Sequence, residues 1–437
     1  MSRKIRNAVI VGAISVITHF VAAGYPSKVI FDETYFGLFA SNYFTHTYYF
    51  DIHPPFAKLL IAFAGWVFGY VPGFSFASIG LDYPNLGYLA LRFVPMLAGA
   101  ILPLIVYGIA LELDCGDGVA LLTGLMVAFE NSLIAESRAI LTDAVLVATG
   151  FACIYFFLRW WNGGRRWNLF ASGLMGAASI STKWVGISYL GLVGLYFLGR
   201  ELFGRRHARS RRASTFALGL LALVVVPAVF YVGVFAIHFA LVGPPPDAAG
   251  GGFWTQFVTL NASMYDLAHN VGSHPYASTW YEWPFMVKPI LYLATNLGNG
   301  WQYVIYFIGN PLLWICGFFG IAVGLFVALV RALRHRLDRT FAFVVVGYLA
   351  NLVPFVFVQR TFFLYHYSAA FIFSLLAFAI EFHWLLGKFE PRTRRAAWGA
   401  FLALVVVSFL VVAPFTYGIP VPYSYLQKMG PLLQDHW

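Results

Sequence analysis

Eleven apolar blocks alternate with polar segments along the chain, at about residues 5–23, 87–111, 118–135, 143–158, 168–181, 184–199, 214–241, 303–330, 341–358, 364–386 and 397–416. Blocks of this kind suit helices that cross a hydrocarbon core of about 30 Å, although several, at about 14–17 residues, are short for it. The pair 168–181 and 184–199 reads as a hairpin of short helices that need not cross fully. Two polar segments, 24–86 and 242–302, are too long for turns. The first contains an apolar stretch, 56–71, between Pro54-Pro55 and Pro72; with its Trp and Tyr it reads as a helix lying in the interface. The pattern therefore predicts an all-α polytopic membrane protein of about eleven transmembrane helices, with interfacial helices in a long first outer loop. It contains no internal repeat and no separate soluble domain, so 1–437 is taken as one membrane-embedded unit.

Composition agrees. The chain is 60% hydrophobic and 11% charged, with a mean hydropathy of +0.74, far from the balance of a soluble domain. The net charge of +10 would point to nucleic acid in a soluble protein. Here its placement explains it. Twenty of the 28 Lys and Arg fall at one set of block ends: around Arg3, Arg165, Arg205, Arg334 and Arg394. This bias is expected for cytoplasmic loops. It predicts a cytoplasmic N-terminus and, for an odd number of spans, an outer C-terminus. The first block has no small-residue cleavage site before the polar segment and is expected to be a retained span, in the plasma membrane. Cys115, Cys153 and Cys316 have no metal-ligand spacing and receive no role.

The eight remaining cations are Lys28, Lys58, Arg92, Arg138, Lys183, Lys288, Arg360 and Lys428. They share the outer side with Asp32, Glu33, Asp51, Glu136 and Asp143. An ionisable side chain at membrane depth tends to face a partner or a cavity. Cations beside carboxylates are the chemistry needed to hold a lipid phosphate while an acid handles a proton.

The order of motifs narrows this. Phe31-Asp32-Glu33-Thr34-Tyr35 follows the first block, and Asp51-Ile52-His53-Pro54-Pro55-Phe56-Ala57-Lys58 comes about twenty residues later. Leu91-Arg92, Ser137-Arg138-Ala139-Ile140-Leu141-Thr142-Asp143, Lys183-Trp184-Val185-Gly186 and Trp283-Pro284-Phe285-Met286-Val287-Lys288-Pro289 continue it, with Gly309-Asn310-Pro311 and Tyr365-His366-Tyr367 after them. The set, over about 31–370, resembles the protein O-mannosyltransferases, polytopic glycosyltransferases of the GT-C type. Two departures stand out. Segment 242–302 is too short for the β-trefoil domain of eukaryotic members, so the chain is similar to prokaryotic ones. Lys288 stands at a usual Arg, which keeps the charge and loses the planar fork.

The resemblance implies an inverting transfer of mannose from a polyprenyl- or dolichyl-phosphate donor to Ser/Thr hydroxyls of translocating proteins on the outer face. It implies Asp32 as general base, with Glu33 beside it as a second catalytic candidate; the residues alone do not rank the two. Asp51, His53, Arg92, Arg138, Lys183, Lys288, Arg360, His366 and Tyr367 are the expected substrate-binding residues. Asp32, Glu33, Asp51 and His53 include good metal ligands, but the cations suffice to neutralise a lipid monophosphate, so neither metal nor cofactor is expected. The rival readings are a transferase acting on a lipid or glycan and, outside the enzymes, a transporter. A transporter calls for midplane charges and repeated halves, whereas the charges here cluster on one face.

Overall fold

The structure, a computed structural model, describes residues 1–203, 209–269, 272, 274–336, 338–358 and 360–434. Arg205 and Arg206, part of the inner cationic run, lie outside these residues.

The apolar blocks become helices. α1 (Arg3–Phe20) leads into a first loop carrying α2 (Glu33–Thr45) and α3 (Phe56–Val67). Then follow α4 (Tyr88–Glu112), α5 (Asp117–Ala128), α6 (Asn131–Ser137), α7 (Asp143–Gly163), α8 (Arg166–Ile180) and α9 (Ile187–Phe203). α10 (Arg209–Leu220) continues through a π-helical turn, Leu221–Val225, into α11 (Val226–Val242). The second loop holds α12 (Phe253–His269) and a hairpin, β1 (Ile290–Gly298) and β2 (Trp301–Phe307). The last part comprises α13 (Pro311–Leu333), α14 (Arg339–Leu352), α15 (Pro354–Phe357), α16 (Ser368–Leu386), α17 (Pro391–Tyr417), β3 (Val421–Pro422) and α18 (Tyr423–Leu433).

Among the described residues, eight helices are long and apolar enough to cross a membrane, or nine if α5 and α6, bent by 55°, count as one. The polytopic helical architecture stands, and two of the expected spans, α1 and α8, fall outside this length-and-charge measure. α1 carries Arg3, Lys4 and Arg6 within its 18 residues, and α8 has only 15. The 168–199 region is two helices broken around Lys183, and only the second is long enough to span. Block 303–330 is the clearest correction. Its first five residues belong to β2, whose mixture of Tyr, Val, Ile and Phe suits a strand, and the helix starts at Pro311. The hairpin pairs antiparallel, and β3 adds to β2 in the order β1-β2-β3.

Close backbone approach and buried polar anchors fix the packing. At Gly173 of α8 a Cβ would lie 1.8 Å from the Ala222 carbonyl oxygen in the π turn, so only glycine admits this crossing. Glu130 sits at the α5–α6 break, fully buried. Its carboxylate accepts from the Ser132 hydroxyl (2.8 Å), the Asn310 amide (3.2 Å) and the Trp314 indole (3.2 Å). One acid thereby turns a helix and ties it to the start of α13.

Candidate active site

A cavity of about 340 Å³ opens between α7, α9, α14 and α16. Its walls are largely apolar, among them Leu146, Val147, Ile187 and Ala350. Its polar end gathers Asp143, Lys183, Arg360, Tyr365 and His366. Lys183 donates to Asp143 at 2.6 Å, which leaves ammonium protons for a ligand. Arg360 differs: its Nε is buried without a hydrogen-bond partner. Burial holds its guanidinium below the usual arginine range, the condition under which a bound anion is most favourable. The His366 ring stacks between Trp283 (centroids 6.0 Å) and Tyr365 (4.6 Å), and its Nδ1 faces the Phe363 backbone.

Asp32 stands beside this charged end. It is the N-cap residue of α2, yet its side chain makes no capping bond. The preceding residue is held firmly: Phe31 adopts φ +46°, rare for a bulky side chain. Its ring stacks on Tyr292 of β1 at 4.3 Å and 9°, and its amide donates to the Tyr292 carbonyl at 3.1 Å. The Tyr292 hydroxyl donates a very short hydrogen bond to Glu136. Two loops and α6 thus converge to place one carboxylate that has no hydrogen-bond partner among the described residues. Burial pushes the Asp32 carboxyl up to about 6; Lys183 pulls it down and Asp143 and Asp51 push it further up.

Asp51 and His53 complete the arrangement. Lys58, almost fully buried, donates to Asp51 in a very short ion pair and to the His53 carbonyl at 2.7 Å. Burial, then the charges of Lys183, Lys58, Arg360 and His366, hold the His53 imidazole well below its usual range. It is neutral at pH 7, a hydrogen-bonding group rather than a cation. Among the described residues no three His, Cys, Asp or Glu side chains gather to hold a metal.

Four expected binding residues are elsewhere, and Glu33 is not free. Its carboxylate, with 0% of the residue exposed, grips Arg92 through two bonds of 2.7 and 2.8 Å. It also accepts from the amides of Ile30 (2.8 Å) and Ile140 (2.9 Å) and from the Tyr83 hydroxyl (3.0 Å). Arg92 gives two more donors to the carbonyls of Pro26 and Lys28, so four of its five N–H groups are committed inside the protein. Arg138 bonds the carbonyls of His19, Val21, Ala22 and Tyr25 and thereby caps the end of α1. Lys288, at φ +57°, spends its ammonium on the Ala277 carbonyl. Tyr367 is buried against Tyr348 and does not line the cavity. Of the expected set, Lys183, Arg360 and His366 line it, and Asp32, Asp51 and His53 adjoin it.

A family model described as dolichyl-phosphate-mannose–protein mannosyltransferase matches residues 9–242. A second, for the C-terminal four-helix membrane region of protein O-mannosyltransferases, matches 253–435. The chain belongs to the protein O-mannosyltransferase family. Mannosyltransferase 4 of Candida albicans is 36% identical over 259 residues, 55% of this chain and 34% of that protein. Its counterpart in Saccharomyces cerevisiae is 34% identical over 255 residues, again 55% and 34%. The match spans about a third of the length of these relatives. In fold, the chain is similar to the S. cerevisiae Pmt1–Pmt2 complex, solved with its sugar donor: TM-score 0.90, 18% identity, covering 98% of this chain and 92% of that one.

In this member of the family, three residues around the site carry no local signal of their place in it. Asp143 and Glu136 read in the sequence only as outer acids; one pairs Lys183 and the other holds Tyr292. Tyr365 reads there only as part of a motif. The short 3-10 turn at Leu364–Tyr367 turns position 365 to the cavity and 367 to the core, a geometry that no local pattern announces.

Proposed function

We propose that this protein transfers mannose from a polyprenyl- or dolichyl-phosphate donor to Ser/Thr hydroxyls of proteins, at the membrane face that carries Asp32, with inversion at the anomeric carbon. The chain then acts as one membrane catalytic domain, with the 24–86 loop carrying the acids and the 242–302 loop closing over them. That face is extracytoplasmic, with the N-terminus inside and the acceptors reached as they are translocated. The observation carrying this reading is the juxtaposition of an unpartnered, buried-side carboxylate with the cationic end of an apolar cavity.

The isoprenoid lies against the apolar walls, and its phosphate meets Arg360, Lys183 and His366. As the sugar–phosphate bond breaks, charge grows on the leaving oxygen, and these donors bind it more strongly than in the ground state. Asp32 takes the acceptor hydroxyl proton as that oxygen bonds to C1. One carboxylate suffices because no covalent sugar intermediate forms. Glu33 and Arg92 hold the loop that presents Asp32. The direct test is incubation of purified protein with radiolabelled polyprenyl-phosphate-mannose and Ser/Thr peptides. Label on peptide supports the proposal; label passing only to lipid or glycan refutes it.

Two outcomes follow. Because the base must be ionised and its carboxyl lies near 6, turnover is expected to be flat above pH 7. Below pH 6 it falls about tenfold per unit. A profile unchanged down to pH 5 contradicts the role of Asp32. Arg360→Ala is expected to raise the donor KM about 10–100-fold, the value of charge-assisted hydrogen bonds to one phosphate. Arg360→Lys recovers part, as a point charge replaces the fork. An unchanged KM in Arg360→Ala removes Arg360 from the phosphate site.

A further inference from the structure

The helices that wall the cavity carry a second charged feature at their other ends. α7 starts at Asp143 and runs 21 residues, which places its end about 30 Å away. There Arg200, in the last turn of α9, lies over the rings of Trp160 (4.7 Å) and Trp161 (4.8 Å). Arg339, the first residue of α14, lies 3.9 Å from the centroid of the same Trp161. Two guanidinium groups share one indole. Like charges held together this way are costly unless an anion meets them.

The protein supplies little of that anion. Arg200 reaches Glu201 only at 4.0 Å and gives a long bond of 3.3 Å to the Trp161 carbonyl. Arg339 makes no ion pair among the described residues. Two of the acids nearby are occupied: Asp338 accepts from Arg331 and from the Phe341 amide, and Glu112 takes Asn162 and Arg159. Asp114 shares a neighbouring hollow with Arg339 and Trp161 but, among the described residues, makes no ion pair with either arginine. Beside the two arginines is a hollow of about 460 Å³ lined by Leu195, Tyr196, Gly199 and Val346. Position 346 lies two turns beyond 339 on α14, so the hollow runs about 10 Å along the helices from its charged end. Its walls become apolar with depth, and Leu195 is exposed.

We propose that this hollow is a binding site for an anionic phospholipid of the leaflet opposite the Asp32 cavity, with the headgroup phosphate between Arg200 and Arg339. The paired forks suit phosphate oxygens. Trp161 sits where an indole is favoured, at the headgroup level. The depth fits the glycerol and upper acyl chains. A soluble anion has no use for the apolar wall. The site also has leverage. At their other ends α9 and α14 are joined by a 2.7 Å bond from Ser188 to Asn351, both of which line the Asp32 cavity. A lipid that clamps the near ends steadies the cavity wall.

The test uses the full-length protein, delipidated in neutral detergent and given palmitoyl-oleoyl phosphatidylglycerol or phosphatidylcholine. Native mass spectrometry counts the retained lipid, and thermal unfolding reads the gain in Tm. One phosphatidylglycerol per chain is expected, in preference to phosphatidylcholine. The Arg200→Gln/Arg339→Gln protein is expected to hold it at least about tenfold more weakly, and Arg200→Lys/Arg339→Lys to hold it with intermediate strength. Each variant's Tm in lipid-free detergent is the baseline from which its gain with lipid is read; Arg339→Gln alone serves if the double variant fails to fold. Equal retention by the Gln variants overturns the proposal. So does phosphatidylcholine binding as well, polyprenyl phosphate displacing phosphatidylglycerol at equal concentration, or inorganic phosphate giving the same rise in Tm.

Discussion

Asp32→Asn is expected to lower peptide mannosylation by about 10²–10⁴-fold, the usual worth of a positioned base, while donor binding stays within a factor of two or so. The amide has the carboxylate's shape and lacks its basicity. Because the Asp32 side chain makes no capping bond, the substitution removes no native contact. Its effect on stability has a definite sign. The carboxyl lies near 6 against 3.8 for a free one, so between those pH values the folded chain binds the proton more tightly than the unfolded chain. Stability therefore falls as pH rises through that window and stays lower above it. At pH 7 the Asn protein should melt no lower than the parent, and somewhat higher if anything. Turnover and melting measured together decide the matter: turnover retained within twofold removes Asp32 as the base, and a lower Tm makes it a structural residue.

Arg92→Ala has the opposite signature. Arg92 and Glu33 are 1% and 0% exposed, and breaking a buried pair from one side costs about 3–5 kcal/mol. The variant should lose much of its folded population in detergent, and the remaining activity should scale with that population, at an unchanged donor KM. Reversing the pair, Glu33→Arg with Arg92→Glu, should not rescue it. An arginine at 33 cannot accept from the Ile30 and Ile140 amides, which would be left unpaired in the interior. A normal Tm with a raised donor KM in Arg92→Ala would return Arg92 to the phosphate site.

These two residues also mark how far the sequence could be read. The membrane class, the helical blocks and the position of the acids were legible because each is local: apolar run length, Lys/Arg bias and motif order. Arg92 was legible as a residue with a counter-charge, but a phosphate and a buried Glu33 satisfy a lone arginine equally well on paper. Only the fold tells that Tyr83, Ile30 and Ile140 complete the cage. The same holds for Arg138, whose partners are carbonyls more than a hundred residues away. Carbonyl acceptors carry no side-chain identity, so no pattern of residue types foretells them. The hairpin was missed because Tyr303, Val304, Ile305, Tyr306 and Phe307 form one apolar block with the run that follows Pro311, interrupted only by Gly309 and Asn310. In hydropathy alone a buried strand and a helix look the same.

Glu130 has a consequence in time. The amide of Asn310 that it accepts is 180 residues further along the chain. At a synthesis rate of about 5–20 residues per second, this is a wait of about ten to forty seconds. Through that interval the first helices sit in the bilayer with an acid at a helix break that is only partly satisfied by Ser132. The bonds from Asn310 and Trp314 that complete this corner can form only once the start of α13 has been made, so the α5–α6 break is finished by a much later helix.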